Sequence, residues 1–178
     1  MFRNVMTLTL ALPALGFLSL APLAAEAGDS KVERGKYLVN LGGCMDCHTQ
    51  GYFFGKPDMT RYLGGSDVGF QMPGLGVFYG PNLTPDKETG LGNWSAKEIK
   101  TAVQTGVRPD GRILAPIMPW PALAKLTDKD ANAIVAYLQS LPPVKNKAPG
   151  PFGVGETPTS VVMMIVPGAQ GVAPPAPQ

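Results

Sequence analysis

Both cysteines and the single histidine of this chain fall within five consecutive residues, Cys44-Met45-Asp46-Cys47-His48. A Cys-x-x-Cys-His run is the pattern of covalent c-type haem attachment. Each thiol adds across one vinyl group, and the adjoining imidazole is placed to ligate the iron. A structural zinc site takes four nitrogen or sulfur ligands, and Cys44, Cys47 and His48 exhaust the supply. A thioredoxin-like redox pair belongs in a βαβ context, which the chain does not show. One such run means one haem c.

Met1–Ala27 reads as a secretory leader. Arg3 gives a positive start, Val5–Leu20 is an apolar run, and Ala25-Glu26-Ala27 offers small residues at the cleavage positions. An uncleaved anchor is the other reading, since the apolar stretch approaches the roughly 20 residues that span a bilayer; membrane association is expected only in that case. Either way the remainder is exported, and the expected location is the periplasm. The expected organisation is 1–27 leader, 28–144 haem domain and 145–178 Pro/Gly-rich tail. Net charge is +2, which gives no case for nucleic acid.

Three helices are legible. The first opens at Ser30 with Glu33 three residues on, a capping box. It carries Val32, Tyr37, Leu38 and Leu41 and runs into Gly42-Gly43. Gly35 in its interior serves either close approach of another helix or an exposed turn. The second opens at Ser95 with Glu98 three on, carries Ile99, Ala102 and Val103, and closes at Gly106. The third opens at Thr127 with Asp128 and Asp130 in its first turn. Its stripe is Ala131, Ile134, Val135, Leu138 and Leu141, and Pro142-Pro143 stop it. No segment sustains a period-two alternation, so the expected class is all-α. Gln71–Tyr79 is the one candidate for a short strand or hairpin, and Pro73 and its glycines count against it. Composition of the tail favours poor order at its far end.

With His48 spent, methionine is the usual second ligand of an electron-transferring c haem. Met72 and Met118 both precede proline, which holds the preceding residue extended and off a helix. Met118 lies in Pro116-Ile117-Met118-Pro119-Trp120, a stiff apolar loop between the second and third helices. It is the first candidate and Met72 the second; ordinary core filling is the alternative for both.

The order Cys-x-x-Cys-His, then Gly80-Pro81-Asn82-Leu83, then Met118 before a final helix resembles class I cytochrome c over Lys31 to Val144. The resemblance implies that the Pro81 carbonyl accepts from the free N–H of the proximal imidazole. A narrower likeness runs through Tyr79–Gly90, Asn93-Trp94-Ser95, Asp110-Gly111-Arg112 and Met118-Pro119-Trp120-Pro121. These stretches look like the haem modules of cytochrome subunits that serve periplasmic quinoprotein or molybdenum-dependent dehydrogenases. Such subunits commonly carry three modules, whereas this chain carries one.

The expected function is therefore one-electron transfer rather than catalysis. Electrons would pass from a dehydrogenase donor to a cytochrome or oxidase acceptor of a respiratory chain, through an iron held by His48 and Met118. The alternative is a permanent haem subunit of a dehydrogenase complex. A haem enzyme or sensor with an open distal site ranks below both, because the chain has no second histidine and no third cysteine.

Overall fold

A computed structural model describes residues 23–166, with side-chain surroundings from Ser30 onward. Helix α1 spans Leu23–Leu41 and α2 spans Cys44–His48. A hairpin follows, with β1 at Val68–Met72 and β2 at Gly76–Tyr79. Helices α3 (Ala96–Thr105), α4 (Trp120–Leu123) and α5 (Asp128–Ser140) come next, and β3 (Val161–Met163) closes the order.

The expected first cap is not where α1 starts. The helix runs through Ser30 from Leu23, because Leu23-Ala24-Ala25-Glu26-Ala27 are good helix formers with no breaker among them. The expected leader boundary after Ala27 therefore falls inside α1, and residues 1–22 of that leader lie outside the described residues. At its other end α1 closes as expected: the Gly42 N–H donates to Leu38 O, and Gly43 turns left-handed (φ 61°) into α2.

The frame is the crossing of α1 on α5. Gly35 is buried at the crossing, where a Cβ would fall on the Ala133 carbonyl and stand 2.7 Å from Tyr137 Cβ. Of its two readings, close helix approach is the one found. Val39, Ile99, Ile134, Val135, Tyr137, Leu138 and Leu63 form the core, joined at its edge by Val32, Leu38, Trp94 and Leu141. A fully buried aliphatic side chain contributes roughly 1.5–3 kcal/mol. Packing therefore outweighs the half-exposed Arg34–Asp130 ion pair (2.9 Å) that flanks the crossing. Two side chains expected on the apolar face of α1, Tyr37 and Leu41, are exposed, and Val39 is wholly buried in their stead.

The other two helices start as expected. Ser95 and Glu98 form a reciprocal capping box on α3, and Gly106 ends it at φ 73°. The Thr127 side chain accepts from Asp130 N–H at the start of α5.

The all-α expectation is corrected by a three-stranded sheet of order β2-β1-β3. Strands β1 and β2 pair antiparallel, Gly69 opposite Tyr79 through Met72 opposite Gly76. Pro73 stands in the turn rather than in a strand; Gly74 in that turn and Gly76 at the first position of β2 take positive φ values. The objection to a hairpin at Gln71–Tyr79 thus dissolves. Strand β3 comes from the tail and pairs parallel to β1, Val68 opposite Val161 through Phe70 opposite Met163. The tail lies back on the domain as far as Met164; its far end falls outside the described residues.

Candidate functional site

Helix α2 presents Cys44, Cys47 and His48 within little more than one turn, and Thr49 N–H closes that turn on Met45 O. The cysteines are partly buried and not joined in a disulfide. Burial pushes the Cys44 thiol up to about 11 and raises that of Cys47 too. Both sulfurs are therefore protonated thiols at neutral pH in the folded chain.

His48 is 6 % exposed. Its Nδ1 lies 2.8 Å from the carbonyl oxygen of Pro81. A carbonyl only accepts, so Nδ1 carries the proton and donates it. Burial lowers the imidazole pKa from its ordinary value, while the bond to Pro81 works in the opposite direction. The ring is thus neutral at physiological pH, and Nε2 keeps its lone pair for a metal. The donor set fits covalent haem: two adjacent unpaired thiols and one imidazole whose tautomer is fixed from behind. Among the described residues no cluster of three or more His, Cys, Asp or Glu side chains is placed to hold a metal ion by itself.

The turn that carries Pro81 is locked to α2 by backbone contact. A Cβ on Gly80 would fall onto the Cys47 carbonyl oxygen, so only glycine lets the two segments touch. The stretch 63–66 braces both. Gly65 N–H donates to His48 O (2.8 Å), Ser66 N–H to Gly80 O (2.9 Å) and Leu83 N–H to Leu63 O (2.8 Å). Thr49, fully buried, accepts from Leu63 N–H through its hydroxyl.

Met118 belongs to the connection between α3 and α5. Its N–H donates to Ala115 O (2.9 Å), its carbonyl accepts from Trp120 N–H (2.8 Å), and α4 follows at once. The Trp120 indole packs on Gly106, where a Cβ would come within 2.7 Å of the ring. The Met118 turn is therefore anchored to the end of α3, and its side chain is half-buried. Met72, placed on a loop by its proline, is instead the last residue of β1. It lines a groove of about 250 Å³ with Val154, Pro158, Val162 and Met164 of the tail. The structure thus gathers Cys44, Cys47, His48 and Pro81 into one cluster and sets Met118 and Met72 on two separate elements.

The braces were not legible beforehand. Gly65 and Thr49 carry no motif.

Comparison with known proteins agrees with this geometry. The cytochrome c family model matches residues 32–142, and the chain belongs to the cytochrome c family. It is accordingly an electron-transfer protein whose cofactor is covalently bound haem c. Among curated relatives it is 36 % identical over 142 residues to the cytochrome c subunit of a quinone alcohol dehydrogenase from Gluconobacter oxydans, covering 76 % of this chain and 28 % of that protein. It is 40 % identical over 125 residues to the gluconate 2-dehydrogenase cytochrome c subunit of Pantoea cypripedii, covering 69 % of this chain and 26 % of the relative. A fructose dehydrogenase cytochrome subunit from Gluconobacter japonicus is 33 % identical over 139 residues, 75 % of this chain and 27 % of its own length. The chain thus spans about a quarter of the length of these relatives.

Proposed function

We propose that this chain is the haem-bearing electron-transfer partner of a dehydrogenase, working as a subunit of its complex. Three relatives named as subunits of alcohol, gluconate and fructose dehydrogenases support that reading over a free carrier. The donor would be the dehydrogenase, and a further cytochrome or an oxidase the acceptor. The second reading is a diffusing carrier that meets the dehydrogenase only transiently.

The observation that supports the haem-bearing role is the hydrogen bond from His48 Nδ1 to Pro81 O beside two free thiols. Cys44 and Cys47 would hold the group by thioethers, and His48, through Nε2, and Met118 would ligate its iron. Met118 is preferred to Met72 because Met72 is engaged in the strand and tail groove. Bound haem supplies a reversible one-electron change between ferric and ferrous iron. The chain's own residues set how readily that change occurs. The Pro81 carbonyl fixes the ring of His48 and raises its basicity, whereas a methionine thioether favours the ferrous state. Retaining both ligands through the cycle keeps structural rearrangement small.

Export to the periplasm by Met1–Ala27 belongs to the same reading, because covalent haem attachment needs an extracytoplasmic machinery. Among the described residues no helix is long and apolar enough to cross a membrane. The test is affinity purification of the tagged chain from its own host, followed by addition of alcohols or sugar acids. Recovery with a large cofactor-bearing subunit and substrate-dependent haem reduction is the expected result. A chain recovered alone that is reduced only by added soluble dehydrogenase would favour the carrier.

A further inference from the structure

We propose that Asn82, gripped by the tail segment Val144–Asn146, is a positioning residue that sets the strength of the His48–Pro81 hydrogen bond and with it the redox potential. The inference rests on the reading of His48 as iron ligand. It gives a role to a stretch of chain beyond residue 142, where the family match ends.

Asn82 is 2 % exposed and directly follows Pro81. Its Nδ2 donates to Val144 O (2.6 Å), Thr89 Oγ1 (3.0 Å) and Asn146 O (3.3 Å). Its Oδ1 accepts from Thr84 N–H (2.9 Å) and the Thr84 hydroxyl (2.7 Å). The tail returns the grip: Val144 N–H donates to Thr84 Oγ1 (3.0 Å) and Asn146 N–H to Thr89 Oγ1 (3.1 Å). The Asn146 side chain reaches on to Gly64 O (2.8 Å), in the stretch that braces His48 and Gly80. Two side-chain amides, Asn82 and Asn146, therefore tie together the three backbone segments around the proximal imidazole: 63–66, 80–84 and 144–146.

The consequence is electronic as well as mechanical. A carbonyl accepting from the ring N–H raises the basicity of the ligand, which favours ferric iron. Loosening Pro81 weakens that bond and shifts the balance to ferrous, so the potential rises. A buried network is also a unit: removing Asn82 leaves Thr84 N–H and two tail carbonyls without their partner. The loop bearing Pro81 is then free to move.

The test uses the full-length haem protein as wild type, Asn82→Ala, Asn146→Ala and Thr127→Ala. The last removes a helix cap on α5 and controls for lost stability alone. Two readouts are followed: the midpoint potential, and solvent exchange of the hyperfine-shifted His48 Nδ1 proton by NMR. Asn82→Ala is expected to raise the potential and speed exchange at least tenfold. Asn146→Ala should move both in the same direction by less, and Thr127→Ala should move neither. Wild-type values in Asn82→Ala, or equal shifts in Thr127→Ala, overturn the proposal. If Asn82→Ala yields no haem protein, Asn146→Ala decides, and wild-type values there overturn it. A wild type without a hyperfine-shifted His48 proton would instead defeat the ligand assignment itself, which separates the two failures.

Discussion

Gly80 and Cys47 meet backbone to backbone: a side chain on Gly80 would occupy the place of the Cys47 carbonyl oxygen. The next residue after Gly80 supplies the carbonyl that holds His48. A methyl group at position 80 therefore forces the Pro81 turn off α2. Gly80→Ala is expected to destabilise the haem protein by about 3 kcal/mol, at the upper end for overpacking, and to raise its potential. Gly55→Ala is the comparison, since its φ is also positive but nothing lies within 4 Å of the new Cβ. It should cost only the backbone strain of about 1–2 kcal/mol and leave the potential unchanged. Guanidinium unfolding and redox titration of both variants check this.

Gly35→Ala sets two effects against each other. Alanine improves helix propensity by about 1 kcal/mol in a helix interior. The same methyl group collides with the Ala133 carbonyl and Tyr137 Cβ of α5, neither of which is the free end of a flexible side chain. Sterics win, and a net loss of about 2–3 kcal/mol is expected from overpacking. A gain in the denaturation midpoint would show that α1 and α5 do not cross at this glycine.

Acid weakens the fold at several hydrogen-bonded carboxylates, Asp86, Glu98, Asp110 and Asp130 among them, and most clearly at Asp58. The Thr60 hydroxyl and the Arg61 side chain, with Thr60 N–H, hold Asp58 down at about 2. Its unfolded value is about 3.9. A depressed carboxylate contributes its stability in full above the unfolded value and loses it as pH falls through the folded one. The contribution is thus complete above about pH 4 and disappears on approach to pH 2. Carboxyl-carbon NMR should show Asp58 titrating near the lower figure, and Asp58→Asn should make the stability profile less steep across that window, leaving the share of the other lowered carboxylates. A midpoint in the ordinary aspartate range would contradict the hydrogen bonds.

How much could be read in advance follows the range of the interactions involved. The haem motif, the caps at Ser95 and Thr127 and the stop at Gly106 are local patterns, and all appear where expected. The Pro81 carbonyl also stands on His48 as the family resemblance implied. What escaped is non-local. Strand β3 exists because the tail reaches β1, with Val161 beside Val68, and no alternation in Ser160–Val166 announces a distant parallel neighbour. The start of α1 was misplaced because Ser30 and Glu33 form a good cap pattern inside a stretch that already favours helix. Asn82 stands in the sequence only as part of Gly80-Pro81-Asn82-Leu83, because its four side-chain partners, Thr84, Thr89, Val144 and Asn146, include two that lie more than 60 residues away.

The central claim is a haem clamped between His48 and Met118. It is tested most directly by the absorption spectrum of the oxidised protein, wild type against Met118→Ala. The wild type should be six-coordinate and low-spin with the weak thioether-to-iron charge-transfer band, and Met118→Ala should lose that band while keeping its covalent haem. Persistence of the band in Met118→Ala, or ready carbon monoxide uptake by the reduced wild type, would contradict it.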